Sequence, residues 1–315
     1  MKKEQLAIVA TVSGATLWGI SGTAAQALFE RFHFPVLGLL TVRMLVGSLL
    51  IFAFAPRFPR PRFSGTFVGL ALGGLAGSQV TYLAAIQFSN AVTATLLQFL
   101  FLPMVAAYEV FQGTIQWSAR WTAILGLAGG GTFFLVAKIG AGSLGILVTP
   151  LGITFGLLAA VAAAFYSILG HRYVRESGPW AVTAWGFLLG GVVTLPFGAY
   201  ALSGYTAPST VSGQLEVTLL IAVVAVCGTA LAYGLYLIGL RSLPVTEVGV
   251  VAAFEPIAAA VATYVFLGLV LTAPQYVGGA AIVFAVALLG FRRKPPPADH
   301  DAGEPSPKPE PPEAS

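Results

Sequence analysis

The chain has 315 residues, of which 57% are hydrophobic and 9% are charged, and its mean hydropathy is +0.86. A soluble globular domain carries roughly a quarter charged residues, so this composition excludes an ordinary soluble protein and predicts an all-α integral membrane protein. The net charge of +4 belongs to short segments between apolar runs and gives no indication of nucleic-acid binding. The single cysteine, Cys227, excludes a disulfide framework and a cysteine-based metal site.

Ten apolar runs, each about 20 residues long, are predicted to cross the membrane as helices. In chain order they cover residues 6–26, 36–55, 67–87, 91–112, 119–138, 150–170, 179–200, 215–238, 245–270 and 273–291. The first run follows two lysines and ends near Ala25-Gln26-Ala27, a pattern that also occurs in signal peptides. Because it is long enough to span and is polar for a signal sequence, we expect it to be retained as the first helix.

Basic residues are concentrated in alternate connecting segments. Twelve Lys and Arg residues lie on one side of the predicted spans, whereas Arg31 and Lys138 alone lie on the other. By the positive-inside rule, both termini are predicted to be cytoplasmic. Residues 292–315 are rich in proline and almost free of apolar side chains, so we expect a disordered cytoplasmic tail that transport does not require.

A duplicated segment divides the chain into two halves. The segments VTATLLQFLFLP (residues 92–103) and VTEVGVVAAFEP (residues 245–256) share a Val-Thr start and end at Pro103 and Pro256, 153 residues apart. Residues 1–145 and 146–291 are therefore predicted to be two five-helix repeats. Because five is odd, the second repeat enters the membrane in the opposite sense, which predicts an inverted pair. In such folds the substrate site lies near the midplane between the repeats, and rocking of the halves gives alternating access.

Five short stretches resemble one family of transporters. They are LWGISGTAAQ in the first run, TVRML in the second, QFLFLP in the fourth, FEPIAAAV in the ninth and QYVGGAAIV in the tenth. Over residues 1–291 the chain is similar to the EamA family of the drug/metabolite transporter superfamily. The resemblance implies ten helices in two repeats, transport of small metabolites or amphipathic compounds, often outward, and no nucleotide-binding module. The family commonly has Gly-Glu where this chain has Gly113-Thr114 and Gly268-Leu269, so coupling cannot be carried over from those carboxylates.

Four ionisable residues fall inside the predicted spans. Arg43 lies roughly 10 Å into the second helix, where it either caps carbonyls and bridges helices or contacts substrate. Glu255 lies roughly 16 Å into the ninth helix, and a carboxylate at that depth faces the bundle interior or a wet cavity. It is a candidate for binding a proton, a cationic substrate, or the backbone freed by Pro256. Glu247 shares roughly one helical face with Glu255, and Glu109 is expected to reach the cytoplasmic interface.

Uncharged polar residues also occur deep in the runs, where each needs a hydrogen-bond partner in the bundle or a solvated cavity. Together with Glu255, the candidates for a substrate cavity are Trp18, Gln79, Tyr82, Gln98, Tyr166 and Tyr233. The candidates for coupling or gating are Arg43, Pro103, Glu247, Glu255 and Pro256. Glycines are expected to allow close helix packing, among them Gly74, Gly126, Gly129, Gly130, Gly131, Gly190 and Gly191.

The pattern favours a secondary transporter for a small molecule in the lipid bilayer, with no cofactor and a proton as a candidate coupling ion. A channel or a membrane sensor is the alternative. An intramembrane enzyme is disfavoured, because the three histidines lie outside the runs and the membrane part contains no aspartate. Amino acids, other metabolites and organic cations all stay open as substrates.

Overall fold

The computed structural model describes residues 3–55, 57–113, 117–136, 149–240, 248 and 251–290. Within this described part the chain forms helices and no β-strand element. The helices are α1 Lys3–Phe32, α2 Val36–Phe54, α3 Gly65–Gly69, α4 Gly77–Phe88, α5 Ala91–Gln98, α6 Phe101–Phe111, α7 Ala119–Val136, α8 Pro150–Ser177, α9 Pro179–Ser203, α10 Val211–Ala222, α11 Ala232–Leu240, α12 Glu255–Leu267 and α13 Ala273–Gly290.

Two π-helical segments join pairs of these helices into longer rods. The first π segment, Leu70–Ala76, connects α3 to α4, and the second π segment, Val223–Leu231, connects α10 to α11. A π turn inserts one residue into the helical ladder and frees local carbonyl groups without ending the helix. Neither segment was predicted from the sequence, because a change in hydrogen-bond register leaves the hydropathy of the run unaltered.

Six of the described helices are long and apolar enough to cross a membrane, which confirms a multi-pass membrane protein. They are Lys3–Phe32, Val36–Phe54, Gly65–Phe88, Pro150–Gly170, Pro179–Ser203 and Val211–Gly239. Shorter apolar helices cover Ala91–Val105, Glu255–Leu267 and Ala273–Leu288.

Local sequence signals explain where several helices begin. Side-chain oxygens of Ser64, Asn90, Thr149 and Thr210 accept hydrogen bonds from the backbone N–H groups of Phe67, Thr93, Gly152 and Gly213, at 2.8 to 3.2 Å. Each bond satisfies one of the donors that a helix start leaves open. Proline at the first position of α8 and of α9 adds a backbone already set for a helix.

The two duplicated segments are interrupted, which corrects the expectation of continuous fourth and ninth helices. Helix α5 ends at Gln98 and α6 begins at Phe101, with a tight turn at residues 99–100. A second turn at residues 253–254 precedes Glu255, which is the first residue of α12. Pro103 and Pro256 lie in the first turns of the new helices, where a missing N–H leaves no helical bond unmade.

Several helices of each half of the chain pack against helices of the other half. Helix α1 packs against α11, α12 and the second π segment, whereas α8 packs against α4, α5 and the first π segment. Helix α2 pairs with α9, and α7 pairs with α13. The core therefore lies where α1 and α8 each cross onto helices of the opposite half.

Glycines make some of these contacts possible, as the sequence suggested, but not all of them. A Cβ atom on Gly19 would lie 2.6 Å from the backbone nitrogen of Ala259, so α1 and α12 approach almost backbone to backbone. A Cβ on Gly131 would lie 2.8 Å from the Gly278 carbonyl oxygen. The expectation was wrong for three glycines of α7, where a Cβ would have no atom of the described residues within 4 Å: Gly126, Gly129 and Gly130.

We predict opposite outcomes for two glycine-to-alanine substitutions. Gly19→Ala forces α1 away from α12 and should lower the unfolding free energy by about 1–3 kcal/mol, the usual cost of overpacking. Gly129→Ala is the matched control: it adds a methyl group in open space and should leave stability unchanged or raise it by up to about 1 kcal/mol. Thermal unfolding of both variants in the same detergent provides the measurement. Equal melting temperatures for the two variants would contradict the close α1–α12 contact.

Candidate functional site

Arg43 of α2 is the buried cation of the bundle interior, with 4% of its surface exposed. Its Nε donates to Thr229 Oγ1 at 3.0 Å, and its Nη2 donates to the Gly228 carbonyl oxygen at 3.3 Å. Both acceptors belong to the second π segment, and the Thr229 hydroxyl in turn donates to the Val224 carbonyl at 3.1 Å. Arg43 therefore bridges two helices, while its Nη1 group has no hydrogen-bond partner among the described residues.

Glu255 supplies the opposite charge in the same interior region and is 8% exposed. It begins α12, where the N–H groups of the first turn favour a negative charge. Its carboxyl group makes no hydrogen bond and no ion pair with the described residues. A Cβ on Gly19 of α1 would lie 2.9 Å from the Glu255 carbonyl oxygen, and Gly228, which accepts from Arg43, packs against Ser21 of the same helix. A basic and an acidic side chain therefore border one helix without an ion pair between them.

Aromatic rings and an amide surround this pair of charges. The Trp18 ring lies 5.0 Å from that of Tyr233, in an edge-to-face arrangement, and 5.3 Å from that of Tyr236. Phe187 packs on Tyr233 at 5.3 Å. The Gln79 Nε2 donates to the Tyr233 hydroxyl at 3.3 Å, while the Gln79 Oε1 is buried with no hydrogen-bond partner among the described residues. Because a buried acceptor without a donor costs about 1–3 kcal/mol, a ligand that donates to Gln79 Oε1 would remove this cost.

Two further tyrosines complete the cluster. The Tyr82 hydroxyl pairs with Thr95 Oγ1 at 3.0 Å and would lie 2.7 Å from a Cβ on Gly22 of α1. Tyr166 and Tyr233 both pack against the buried apolar cluster that contains Tyr82 and Phe187. We call the whole set the interior polar cluster: Trp18, Arg43, Gln79, Tyr82, Tyr166, Tyr233, Tyr236 and Glu255.

The structure brings together most, but not all, of the residues proposed from the sequence. Gln98 ends α5 half-buried and makes no hydrogen bond with any described residue. Pro103 and Pro256 lie at the helix restarts and not among the polar contacts. Glu247 and the side chain of Glu109 lie outside the described residues.

Sequence reasoning missed the residues that hold the cluster in place. Thr229 and Gly228 were not singled out, because their role depends on the second π segment. A Cβ on Gly228 would lie 1.9 Å from the Ser21 hydroxyl oxygen, so glycine is needed where α1 crosses this segment. Thr23 and Thr263 form a buried hydroxyl pair at 3.2 Å between α1 and α12. The sequence signal that could have identified these threonines was a hydroxyl side chain within an apolar run.

One end of the bundle is closed by polar contacts between helices, and we call it the sealed end. Arg31 at the end of α1 forms a 3.1 Å ion pair with Glu216 of α10 and donates to the Phe266 carbonyl of α12 at 3.1 Å. The Gln26 Oε1 accepts from the Ala91 N–H at 2.8 Å, joining α1 to α5. The Thr149 hydroxyl also donates to the Phe88 carbonyl.

Apolar helices of spanning length enclose a cluster of polar and charged groups, two of which carry opposite charges that do not pair directly. In membrane helices, charged groups at such depth mark the path of a solute or an ion. Fold and site together define a multi-pass membrane transport protein, whose setting is the lipid bilayer and whose cargo is a small molecule.

Comparison with known proteins gives the same class, a membrane transport protein, and identifies its family. Residues 150–291 match the EamA-like transporter family. The chain is 30% identical over 290 residues to the uncharacterized inner membrane transporter YicL of Salmonella typhimurium, covering 88% of this chain and 92% of that protein. It is 29% identical over 283 residues to the threonine/homoserine exporter RhtA of Escherichia coli K12, covering 88% of each. The chain belongs to the EamA family of the drug/metabolite transporter superfamily.

A solved crystal structure supports the fold independently of close sequence similarity. It matches 90% of this chain and 98% of its own with a TM-score of 0.60 and 18% sequence identity, a likeness that shows the fold alone. The family is one of transporters and not of enzymes.

We predict that Gln79→Leu separates stability from transport. Leucine removes the buried acceptor without a partner but also the Nε2 bond to Tyr233, so the two effects offset and the unfolding free energy should change by less than about 1 kcal/mol. If the Gln79 amide contacts the transported molecule, the transport rate should fall about tenfold or more. Tyr173→Phe, outside the interior polar cluster, is a control with the opposite balance: losing the bond between its hydroxyl and Ser64 Oγ should cost about 1 kcal/mol of stability and leave transport unchanged. A Gln79→Leu variant that melts earlier and transports normally would assign the residue a purely structural role.

Proposed function

We propose that the protein exports a small metabolite of the amino-acid class across the cell membrane by alternating access. The observation that carries this proposal is the pair Arg43 and Glu255, a buried base and a buried acid that share one cluster and form no ion pair with each other. Unpaired buried charges are costly, so such a pair is best explained by a ligand that compensates both. The name of one relative, a threonine/homoserine exporter, favours the same class of cargo and outward transport.

The proposed framework is two inverted five-helix repeats, residues 1–145 and 146–291, followed by a disordered tail, residues 292–315. The exchanged packing of α1 and α8 supports it. Helix α1 packs against α11, the second π segment and α12, and α8 packs against α4, the first π segment and α6, which hold the corresponding positions in the first half. The π segments support it as well. They begin at Leu70 and Val223, and 223 − 70 gives 153, the spacing of the duplicated segments.

The basic residues of alternate loops support a cytoplasmic position for both termini. The sealed end, at which Arg31 pairs with Glu216, is then the external side in this proposal, and its contacts between helices favour a carrier closed to the outside. Both partners of this ion pair are about half exposed, at 48% and 47%. An exposed pair contributes only about 0–1 kcal/mol, so the external contacts are weak enough to open during transport.

Coupling to protons is assigned to the acidic side of the cluster. Glu255 is the carboxylate within electrostatic reach of Arg43, and Glu247 stays a second candidate on the cytoplasmic side. When the site is empty, a proton on Glu255 removes one of the two buried charges, and substrate does the same by pairing with it. Pro103 and Pro256, at the helix restarts, are the candidate pivots of the accompanying movement.

The proposed function predicts saturable transport of amino acids in proteoliposomes. Purified protein should accelerate counterflow of at least one radiolabelled amino acid from a panel that includes threonine and homoserine. Protein-free liposomes serve as the control for leakage. Transport of organic cations with no movement of any amino acid would contradict the proposed cargo class.

We further predict that Glu255→Gln flattens the pH dependence of this transport. Glutamine resembles the protonated acid, so the variant should behave at every pH as the wild type does at the acidic limit. The measurement is initial counterflow rate against pH in the same proteoliposomes. Glu4→Gln, which removes an exposed carboxylate near the start of α1, is the matched control. A normal rate with an unchanged profile would leave Glu255 with a structural role only.

A further inference from the structure

We propose that the two poles of a free α-amino acid are bound by separate residues: Arg43 holds the carboxylate, and Glu255 holds the ammonium group. This inference rests on the proposed function, since it specifies how the same interior polar cluster recognises its cargo. It adds one requirement to the transport of amino acids: the carboxylate and the ammonium group of the cargo must both be free and charged.

Arg43 is already oriented for a carboxylate. Its Nε and Nη2 are held by the Thr229 hydroxyl and the Gly228 carbonyl of the second π segment, at 3.0 and 3.3 Å. The guanidinium plane is therefore fixed before any ligand arrives, while Nη1 has no partner among the described residues. A planar guanidinium binds carboxylates through parallel N–H···O bonds, and a fixed one loses little freedom on binding.

Glu255 and Gln79 provide acceptors for an ammonium group. The Glu255 carboxylate accepts no hydrogen bond within the described part of the chain, although the residue is only 8% exposed. The Gln79 Oε1 is buried and has no donor among the residues that the structure describes, and the residue is only 6% exposed. An ammonium group carries three donors and no acceptor, so it supplies what these two residues lack.

The position of the two groups suits a zwitterion. Both lie beside α1: Gly228, whose carbonyl accepts from Arg43, packs against Ser21, and a Cβ on Gly19 would lie 2.9 Å from the Glu255 carbonyl oxygen. Charge-assisted bonds of about 2.7–2.9 Å would hold one small molecule by its two ends. A zwitterion adds no net charge to the cluster, whereas a cation or an anion would leave one buried charge uncompensated.

Ring contacts complete the proposed recognition. Trp18, Tyr233 and Tyr236 form one aromatic group beside the charges, with ring centres 5.0 and 5.3 Å from that of Trp18. Such faces attract an ammonium group and also accommodate an apolar side chain. The poles are therefore specified by charge, while the side chain of the cargo meets a less selective surface.

The first test uses the unaltered protein. A thermal-shift titration against the standard amino acids identifies the one that binds best. Its methyl ester, its N-acetyl derivative and its decarboxylated amine are then titrated in turn. Each derivative leaves a buried charge unpaired and should bind about 30-fold more weakly or worse. If amino acids bind and the derivatives bind equally well, the two-pole arrangement is wrong while the proposed function stands. If no amino acid binds, both are wrong.

Variants then assign each pole to its residue. Arg43→Lys keeps the charge but loses the planar fork, so it should weaken the amino acid about tenfold while leaving the methyl ester unaffected. Glu255→Gln should weaken the amino acid and abolish the extra penalty of the N-acetyl derivative. Arg57→Gln and Glu4→Gln, both at exposed positions, are the matched controls and should bind as the wild type does. The assignment would be overturned if Arg43→Lys changed recognition of the ammonium group and Glu255→Gln that of the carboxylate. It would also be overturned if either variant weakened every ligand equally.

Discussion

The bond between the Arg43 guanidinium and the second π segment is the contact on which the interior of this transporter depends. A charged group so deep in an apolar bundle needs acceptors that an ordinary helix does not offer, because its carbonyl groups are already engaged. The π register at Val223–Leu231 makes the Gly228 carbonyl and the Thr229 hydroxyl available to Arg43. The glycine at position 228 also lets α1 approach the second π segment closely, and this brings Trp18 into the same cluster.

The interrupted helices follow the same physical rule. A break in a helix exposes backbone groups, which lipid cannot satisfy but a protein interior can. The break before Glu255 lies inside the bundle, and short turn bonds such as that from the Phe254 N–H to the Val251 carbonyl, at 3.2 Å, keep it satisfied. Placing the proline just after the break removes the usual cost of an interior proline. Because of the break, the Glu255 carboxylate lies at a helix start, where the free N–H groups favour a negative charge, and not in the middle of a helix.

Hydropathy predicted the helical character of the part of the chain that the structure describes. Runs of apolar residues located the long helices, since lipid imposes length and composition on each span. The cluster members Trp18, Arg43, Gln79, Tyr82, Tyr166, Tyr233 and Glu255 were also singled out from the sequence, because polar groups in apolar runs need partners. The π segments and the role of Thr229 were not predictable, as they depend on hydrogen-bond register. The prediction of close packing at Gly129 and Gly130 was wrong for a related reason. A small residue permits close packing but does not require it.

The asymmetry of the duplicated segments gives the cluster its chemistry. Pro103 and Pro256 are shared by the two segments, whereas the acid of Glu255 stands where the first segment has Leu102. Arg43 comes from the first half of the chain and is held by the second half, and Glu255 belongs to the second half. In the proposed function, rocking of the halves changes the distance between these two groups, which no bond joins. A cargo that pairs with both groups, or a proton on Glu255, would then lower the cost of closing over the site. In that proposal the shared prolines are the pivots, and the unshared acid selects the cargo.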